Sequence, residues 1–131
     1  MNYKEIESFK NILKNYLFYQ EKIEELKTEI VYLYEVTSGY TGVKFGEIKY
    51  ARNELKKYDS FEIIEKKIKE EETYRYLLEY ADDVLKRMTE TNRKAIKEIY
   101  IYGKKYESVA RKLNYSEGGM YKSIHAELKK L

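Results

Sequence analysis

The stretch that decides the fold is residues 106–131, YESVARKLNYSEGGMYKSIHAELKKL. Its apolar residues recur at the three- and four-residue steps of amphipathic helices, with an interruption at Asn114. The apolar positions before the interruption are Val109, Ala110 and Leu113, and those after it are Met120, Ile124, Leu128 and Leu131. Ser116 is of a residue type that caps helix N-termini. The stretch therefore predicts one short helix over 106–113 and a longer one from 116 to 131, joined by a tight turn.

Three residues of this stretch have the spacing of a helix-turn-helix. Ala110 is small enough to let two helices cross closely, and Asn114 tolerates the positive φ that a tight turn needs. Met120 follows Ala110 by ten residues, where its side chain packs the first helix against the second. The alternative is an ordinary three-helix cap in which the same residues are only core.

A third helix is predicted just upstream, over residues 92–102. Thr91 can cap its start, and Gly103 can end it in the left-handed conformation. Its expected buried positions are Ala95, Ile96, Ile99 and Tyr100. Residues 89–131 are therefore predicted to form a three-helix DNA-binding domain of the helix-turn-helix type.

The preceding part, residues 1–88, has the pattern of long amphipathic helices over 3–37 and 61–88. The expected apolar positions are Ile6, Phe9, Leu13, Tyr16, Tyr19, Ile23, Leu26, Ile30 and Leu33 in the first, and Phe61, Ile64, Ile68, Tyr74, Leu77, Ala81, Leu85 and Met88 in the second. The spacing slips between Tyr16 and Tyr19, so a short helical hairpin or bundle and an extended coiled coil both remain open. A glycine-containing loop over 38–46 and a shorter helix over 47–58 are predicted between them, and Asp59 or Ser60 can cap the second helix.

These patterns predict an all-α protein: an N-terminal helical hairpin, either a coiled coil or a bundle, followed by the three-helix domain. The hairpin is expected to serve oligomerisation, as a homodimer, or partner binding. The chain has 131 residues, no proline, no cysteine and one histidine, which excludes disulfides, zinc fingers and multi-histidine metal sites. No cofactor and no metal site are predicted. There is no run of about 18 apolar residues, so we expect a cytoplasmic protein with no membrane partner.

The positive charge is concentrated near the C-terminal end. The whole chain has a net charge of +3, whereas residues 89–131 contain 10 Lys and Arg against 5 Asp and Glu. Such an asymmetry favours a nucleic-acid partner for this part of the chain. A chance excess of lysine on a solvated surface is the alternative.

The second helix of the motif, residues 116–130, is the expected recognition helix in the major groove of double-stranded DNA. Lys122 is a candidate for guanine or phosphate, Tyr121 for a thymine methyl group or phosphate, and Glu117 for a cytosine amine. The full set of predicted DNA-binding residues is Lys104, Lys105, Tyr106, Arg111, Ser116, Glu117, Gly118, Gly119, Tyr121, Lys122 and His125. Further candidates for phosphate contact are Arg93, Lys94, Lys112, Lys129 and Lys130.

The stretch RKAIKEIYIYGKKYESVARKLNYSEGGMYKSIHAELKKL, residues 93–131, resembles the region-four DNA-binding domain of bacterial sigma factors. It resembles more closely the small phage and prophage regulators of the ArpU and RinA kind. The residues that match the motifs of these families are Tyr100, Gly103, Lys104, Val109, Ala110, Leu113, Tyr115, Ser116, Met120, Tyr121, Lys122, Ile124, His125 and Leu128. The N-terminal part is similar to those regulators only in layout. The sequence departs from the pattern at Gly118 and Gly119, where such regulators often carry polar or basic side chains. It also departs at Ser123, where many helix-turn-helix proteins have an apolar residue.

This resemblance implies a sequence-specific transcription regulator of phage or prophage late genes that binds promoter DNA, with RNA polymerase as a further partner. A second hypothesis is a DNA-packaging subunit like the phage small terminase, which joins a helix-turn-helix to an oligomerising hairpin. A third is an interaction protein whose motif no longer touches DNA. An enzyme is not expected, because the carboxylates are spread along solvated helix faces and no nucleophile lies at a recognisable turn.

Overall fold

The computed structural model describes residues 1–37 and 60–131. The predicted loop over 38–46, the predicted helix over 47–58 and the Asp59 cap lie outside these ranges. Within them the protein is all-α, with six helices and no strand. The helices are α1 Tyr3–Lys14, α2 Tyr16–Thr37, α3 Ser60–Arg87, α4 Glu90–Ile96, α5 Tyr106–Lys112 and α6 Glu117–Lys130. A π-helical turn, Lys97–Ile101, continues α4. None of the described helices has the length and apolarity needed to cross a membrane.

The N-terminal helix is shorter than its sequence pattern predicted. It begins at a capping box in which Asn2 Oδ1 accepts from the Glu5 amide at 2.8 Å and Glu5 Oε1 accepts from the Asn2 amide at 3.3 Å. The single helix predicted over 3–37 is wrong, because the helix is interrupted at Asn15. The Asn15 side chain donates to the carbonyl of Asn11 at 2.9 Å, a local bond that competes with regular helix formation. The slip in apolar spacing after Tyr16 coincides with this break.

The described chain forms two compact units. One contains Met1–Tyr19 and Leu77–Leu131, and the other contains, of the described residues, 20–37 and 60–76. The packing therefore does not follow the boundary expected between residues 88 and 89, since α1 and the last turns of α3 belong to the same unit as the C-terminal helices. We call this first unit the C-terminal unit, and the second one the hairpin unit.

The C-terminal unit has one continuous core to which α1 and the C-terminal helices all contribute. Its largest fully buried side chains are Phe9, Leu13, Val84, Ile96, Val109, Met120, Ile124 and Leu128. Burying an aliphatic or aromatic side chain of this size stabilises the folded state by about 1.5–3 kcal/mol. The predicted core positions Ala95, Ile96 and Ile99 are confirmed, whereas Tyr100 is only half-buried. Tyr16 lies at the edge, where its hydroxyl donates to Asp82 at 2.7 Å, and burial together with this bond raises the pKa of Tyr16 to about 12.

The hairpin unit packs residues of α2 against the start of α3. Its buried cluster contains Leu33, Ile63 and Ile64, and Lys67 donates to Glu29 at 2.8 Å beside it. The expectation that Phe61 is a core residue is wrong, because 71% of its surface is exposed. Ile64 is buried as predicted, and the adjacent Ile63 is buried with it.

Asn114 closes the turn between α5 and α6 in the left-handed conformation, with φ 60°, as predicted. The Tyr115 amide donates to the Ala110 carbonyl at 2.9 Å across this turn. Left-handed backbone costs about 1–2 kcal/mol for a residue with a Cβ other than Asn or Asp. We therefore expect Asn114→Ala to lower the free energy of unfolding by about 1 kcal/mol, and Asn114→Gly to leave it nearly unchanged, as measured by urea denaturation. Equal stability of the two variants would contradict this account.

Candidate nucleic-acid interface

Helices α5 and α6 pack against each other through the residues that the sequence singled out. Ala110 is 2% exposed and Met120 is 1% exposed, and both belong to the core of the C-terminal unit. Ser116 caps α6, as predicted, by accepting a hydrogen bond from the Gly119 amide at 3.0 Å. The packing of α5 against α6 fixes the direction in which α6 leaves the turn, and therefore which face of α6 is exposed.

The two glycines at the start of α6 have different environments. A Cβ added to Gly119 would lie 2.8 Å from Ser116 Oγ, so a side chain at this position would displace the capping hydroxyl. A Cβ added to Gly118 would meet nothing within 4 Å. Gly119 is thus explained by the cap, whereas Gly118 presents bare backbone to solvent.

The outer face of α6 carries several of the predicted contact residues. Glu117, Gly118, Tyr121 and Lys122 are exposed, with half of the Tyr121 surface accessible. Lys122 forms no ion pair with any residue of 1–37 or 60–131. Its ammonium group is therefore available to a phosphate or a base edge.

A row of aromatic rings borders this face. Tyr100 meets Tyr106 edge-on with ring centroids 6.4 Å apart, and Tyr106 lies 6.2 Å from Tyr121. Tyr121 in turn stacks on His125 at 3.9 Å. Burial, with the hydroxyl of Tyr100 3.4 Å away, raises the pKa of Tyr106, so its hydroxyl stays protonated. The His125 ring therefore covers one face of the Tyr121 ring, while half of the Tyr121 surface stays exposed.

His125 is less accessible than its position on α6 suggested. Lys10 of α1 places its ammonium nitrogen 2.7 Å from His125 Nε2, and the imidazole Nδ1 lies 2.9 Å from the carbonyl oxygen of Tyr121. Burial lowers the pKa of His125, and the nearby charge of Lys10 adds to this effect. Both ring nitrogens of His125, a predicted DNA-binding residue, therefore have partners within the protein.

The predicted phosphate contacts divide into paired and unpaired cations. Lys104 and Lys112 both reach Glu98, at 3.5 and 3.3 Å, and Arg111 reaches Glu107 at 2.9 Å. Although partial burial opposes it, the hydrogen bond from Lys112 and the charge of Lys104 hold the pKa of Glu98 below its usual range. Exposed pairs of this kind contribute about 0–1 kcal/mol, so a phosphate can compete for these cations. Lys105 is exposed and forms no ion pair within the described ranges.

The Arg93 side chain folds back onto the preceding helix. Its guanidinium donates from Nε to the Leu85 carbonyl at 2.7 Å and from Nη2 to the Met88 carbonyl at 2.8 Å. These carbonyls lie at the C-terminal end of α3, where helix carbonyls lack partners within the helix. The side chain therefore folds back to cap α3, a role that competes with the phosphate contact predicted for Arg93. The neighbouring Lys94 is exposed, as are Lys129 and Lys130.

A polar network joins α4 to α6 that the sequence did not indicate. The carboxylate of Glu127 accepts hydrogen bonds from the Thr89 hydroxyl at 2.9 Å, from the Thr89 amide and from Asn92. Burial raises the pKa of Glu127, but these hydrogen bonds and the nearby Arg93 outweigh it and lower the pKa overall. The Ser123 hydroxyl lies 3.3 Å from Asn92 Nδ2, which explains a polar residue where an apolar one is frequent. Thr89, and not Thr91, is the N-cap residue of α4, because its amide and hydroxyl are anchored to Glu127.

This surface combines unpaired cations, one partly exposed ring and exposed backbone, which are groups suited to contacts with phosphates and base edges. Within residues 1–37 and 60–131, no three His, Cys, Asp or Glu side chains are grouped so that they could hold a metal ion. No protein-family model, no curated protein and no solved structure matches the chain.

Proposed function

We propose that the protein is a sequence-specific DNA-binding transcription regulator of phage or prophage genes, with late genes as the targets that its sequence resemblance implies. In this proposal α4, α5 and α6 form a helix-turn-helix domain, and the recognition helix over 116–130 enters the major groove. The observation that carries the proposal is the exposed face of α6 bearing Tyr121 and Lys122, on a helix whose opposite face is fixed in the core by Met120. A helix that is rigidly held and outwardly polar is what direct readout of base edges requires.

The charges around α6 support contacts with the DNA backbone. Lys105 and Lys122 have no carboxylate partner in the described chain, and Lys104, Arg111 and Lys112 are held only in exposed ion pairs. Each cation that neutralises a phosphate releases a counterion, so binding weakens as salt rises. We expect duplex binding by the full chain to fall steeply with salt concentration, and a salt-independent affinity would contradict the proposal.

Lys122 and Tyr121 are the residues whose replacement separates base readout from backbone contact. A DNA sequence is first selected from a random duplex library with the full-length chain, and a scrambled duplex of the same composition serves as the non-specific probe. We expect Lys122→Ala and Tyr121→Ala each to weaken binding to the selected duplex by about 1–3 kcal/mol, the range for a good contact to a base. Binding to the scrambled duplex is expected to change much less, and fluorescence anisotropy titrations measure both affinities.

The matched control is Lys69→Ala, which removes an exposed lysine in the hairpin unit. It is expected to leave both affinities unchanged. If Lys122→Ala and Tyr121→Ala weakened the two duplexes equally, α6 would contact only the backbone and the proposed sequence readout would be wrong.

A further inference from the structure

Lys10 is a buried cation whose short contact is not with a carboxylate. It is 8% exposed, and its ammonium nitrogen lies 2.7 Å from His125 Nε2 but 3.4 Å from the half-exposed carboxylate of Glu7. The rings of Tyr100 and Tyr121 lie 5.8 and 5.7 Å from the same nitrogen. Burying a charge is costly unless it is well paired. The placement of this lysine between α1 and α6 therefore needs an explanation beyond the stability of an ion pair.

The contact fixes the chemical form of His125. An ammonium group has donors and no acceptor, so Nε2 must accept the bond with its lone pair. The ring proton then lies on Nδ1, which donates to the Tyr121 carbonyl at 2.9 Å. The bond from Lys10 is made only by the neutral imidazole, whereas the Nδ1 bond can be made by the neutral and the protonated ring. The same ring stacks on Tyr121 with an interplanar angle of 26°. Lys10 thus donates a hydrogen bond to His125. His125 in turn donates to the carbonyl of Tyr121 and stacks on its ring.

We propose that Lys10 is a positioning residue for the DNA-contacting face of α6, acting on Tyr121 through His125, and that protonation of His125 undoes this arrangement. The inference rests on the proposed function. It adds to it that α1 takes part in DNA recognition without touching DNA, and that recognition depends on pH.

The effect of pH follows from the groups that face His125. These are Lys10 and Glu7 from α1 and Tyr121 and Lys129 from α6. An imidazolium has no lone pair for Lys10 and would place a second cation 2.7 Å from the ammonium. Protonation therefore breaks the bond from Lys10 that fixes the imidazole against the Tyr121 ring, and it also adds a positive charge near DNA. Sequence-selective binding is expected to weaken in acid, whereas binding to phosphates is not.

The test compares the affinities for the selected and the scrambled duplex at about pH 7.5 and about pH 5.5, the interval in which histidine titrates and carboxylates do not. For the full-length wild-type chain we expect the ratio of the two affinities to fall about three- to tenfold in acid, because proton binding by His125 is linked to sequence-selective binding of DNA. His125→Gln, which cannot be protonated, is expected to show the same ratio at both pH values. A wild-type ratio that does not change with pH would overturn the proposal.

Variants of Lys10 distinguish the effect of its hydrogen bond to His125 from the effect of packing by its aliphatic stem. Lys10→Met keeps the aliphatic stem and removes the donor, and it is expected to show the low ratio at both pH values. Lys10→Arg restores a cationic donor and is expected to recover the wild-type ratio at the higher pH. Lys4→Met, which removes an exposed lysine from the same helix, is the matched control and is expected to behave like the wild type. A Lys10→Met variant that kept the wild-type ratio would contradict the positioning role.

A measurement without DNA keeps this inference distinct from the proposed function. NMR of the imidazole nitrogens is expected to show the Nδ1–H tautomer of His125 in the wild type and a protonation midpoint that rises in Lys10→Met. If no duplex bound with salt sensitivity at any pH, the proposed function would fail, while this titration would still report whether Lys10 holds His125. An unchanged midpoint and tautomer in Lys10→Met would overturn the inference by itself.

Discussion

Phe9→Ala is expected to lower the free energy of unfolding by about 3–5 kcal/mol, the usual cost of truncating a fully buried phenylalanine. Phe9 has no exposed surface, and it belongs to the same buried cluster as Met120, Ile124 and Leu128 of α6. The truncation loses the transfer free energy of the ring and leaves a cavity that the surrounding helices fill only in part. A loss of this size is a large fraction of the stability of a typical domain, about 5–15 kcal/mol.

Urea denaturation followed by circular dichroism measures this loss, and Phe18→Ala is the matched control. Phe18 is half exposed, so its truncation is expected to cost under about 1 kcal/mol. If Phe9→Ala were no more destabilising than Phe18→Ala, α1 would not be part of the core of the C-terminal unit. The role proposed for Lys10, on the same helix, would then lose its structural basis.

The local structure of the C-terminal segment could be predicted from the sequence because each feature depends on neighbouring residues. Asn114 and Gly103 have positive φ, and Ser116 caps α6, as their residue types predicted. The burial of Ala110 and Met120 follows from apolar spacing within two adjacent helices. Such features are determined by backbone sterics and by hydrogen bonds within a few residues.

The packing of α1 in the C-terminal unit could not be predicted in this way. The apolar spacing of Ile6, Phe9 and Leu13 identifies the buried face of the helix correctly, but it does not identify the partner of that face. An amphipathic helix can bury its apolar face equally well against a second such helix or against a third element. The choice depends on contacts between residues far apart in sequence. The contact between Lys10 and His125 spans 115 residues, and no local pattern indicates it.

The directions of charged side chains at the candidate interface could not be predicted from the sequence. A lysine or arginine in a basic segment is a candidate for phosphate contact whichever way its side chain points. The structure separates Lys122, which faces solvent, from Arg93, which turns back to helix carbonyls. A long side chain near the end of a preceding helix has an alternative set of acceptors close by, and its choice between them depends on the packing of the folded chain.

Arg93→Met is expected to lower the free energy of unfolding by about 2–3 kcal/mol, because hydrogen bonds that involve a charged group are the stronger ones in proteins. The guanidinium satisfies the carbonyls of Leu85 and Met88, and it approaches that of Lys86 at 3.4 Å. A cation at this end of α3 also interacts favourably with the helix dipole. Methionine keeps a long apolar stem but removes the donor to the Met88 carbonyl, and it leaves the Leu85 carbonyl with only the Met88 amide, at 3.2 Å.

The matched control is Lys94→Met, at the exposed neighbouring position, which is expected to change stability by under about 0.5 kcal/mol. Urea denaturation measures the stability of both variants. Anisotropy titration with the scrambled duplex, at low temperature and without urea, measures their DNA affinity. A capping role predicts a destabilised Arg93→Met protein whose folded form binds DNA with the wild-type dependence on salt. A phosphate-binding role predicts the opposite, a stable protein whose salt dependence is reduced by about one counterion. Because the two roles move different observables, the pair of variants decides whether the positive charge at Arg93 belongs to the fold or to the interface.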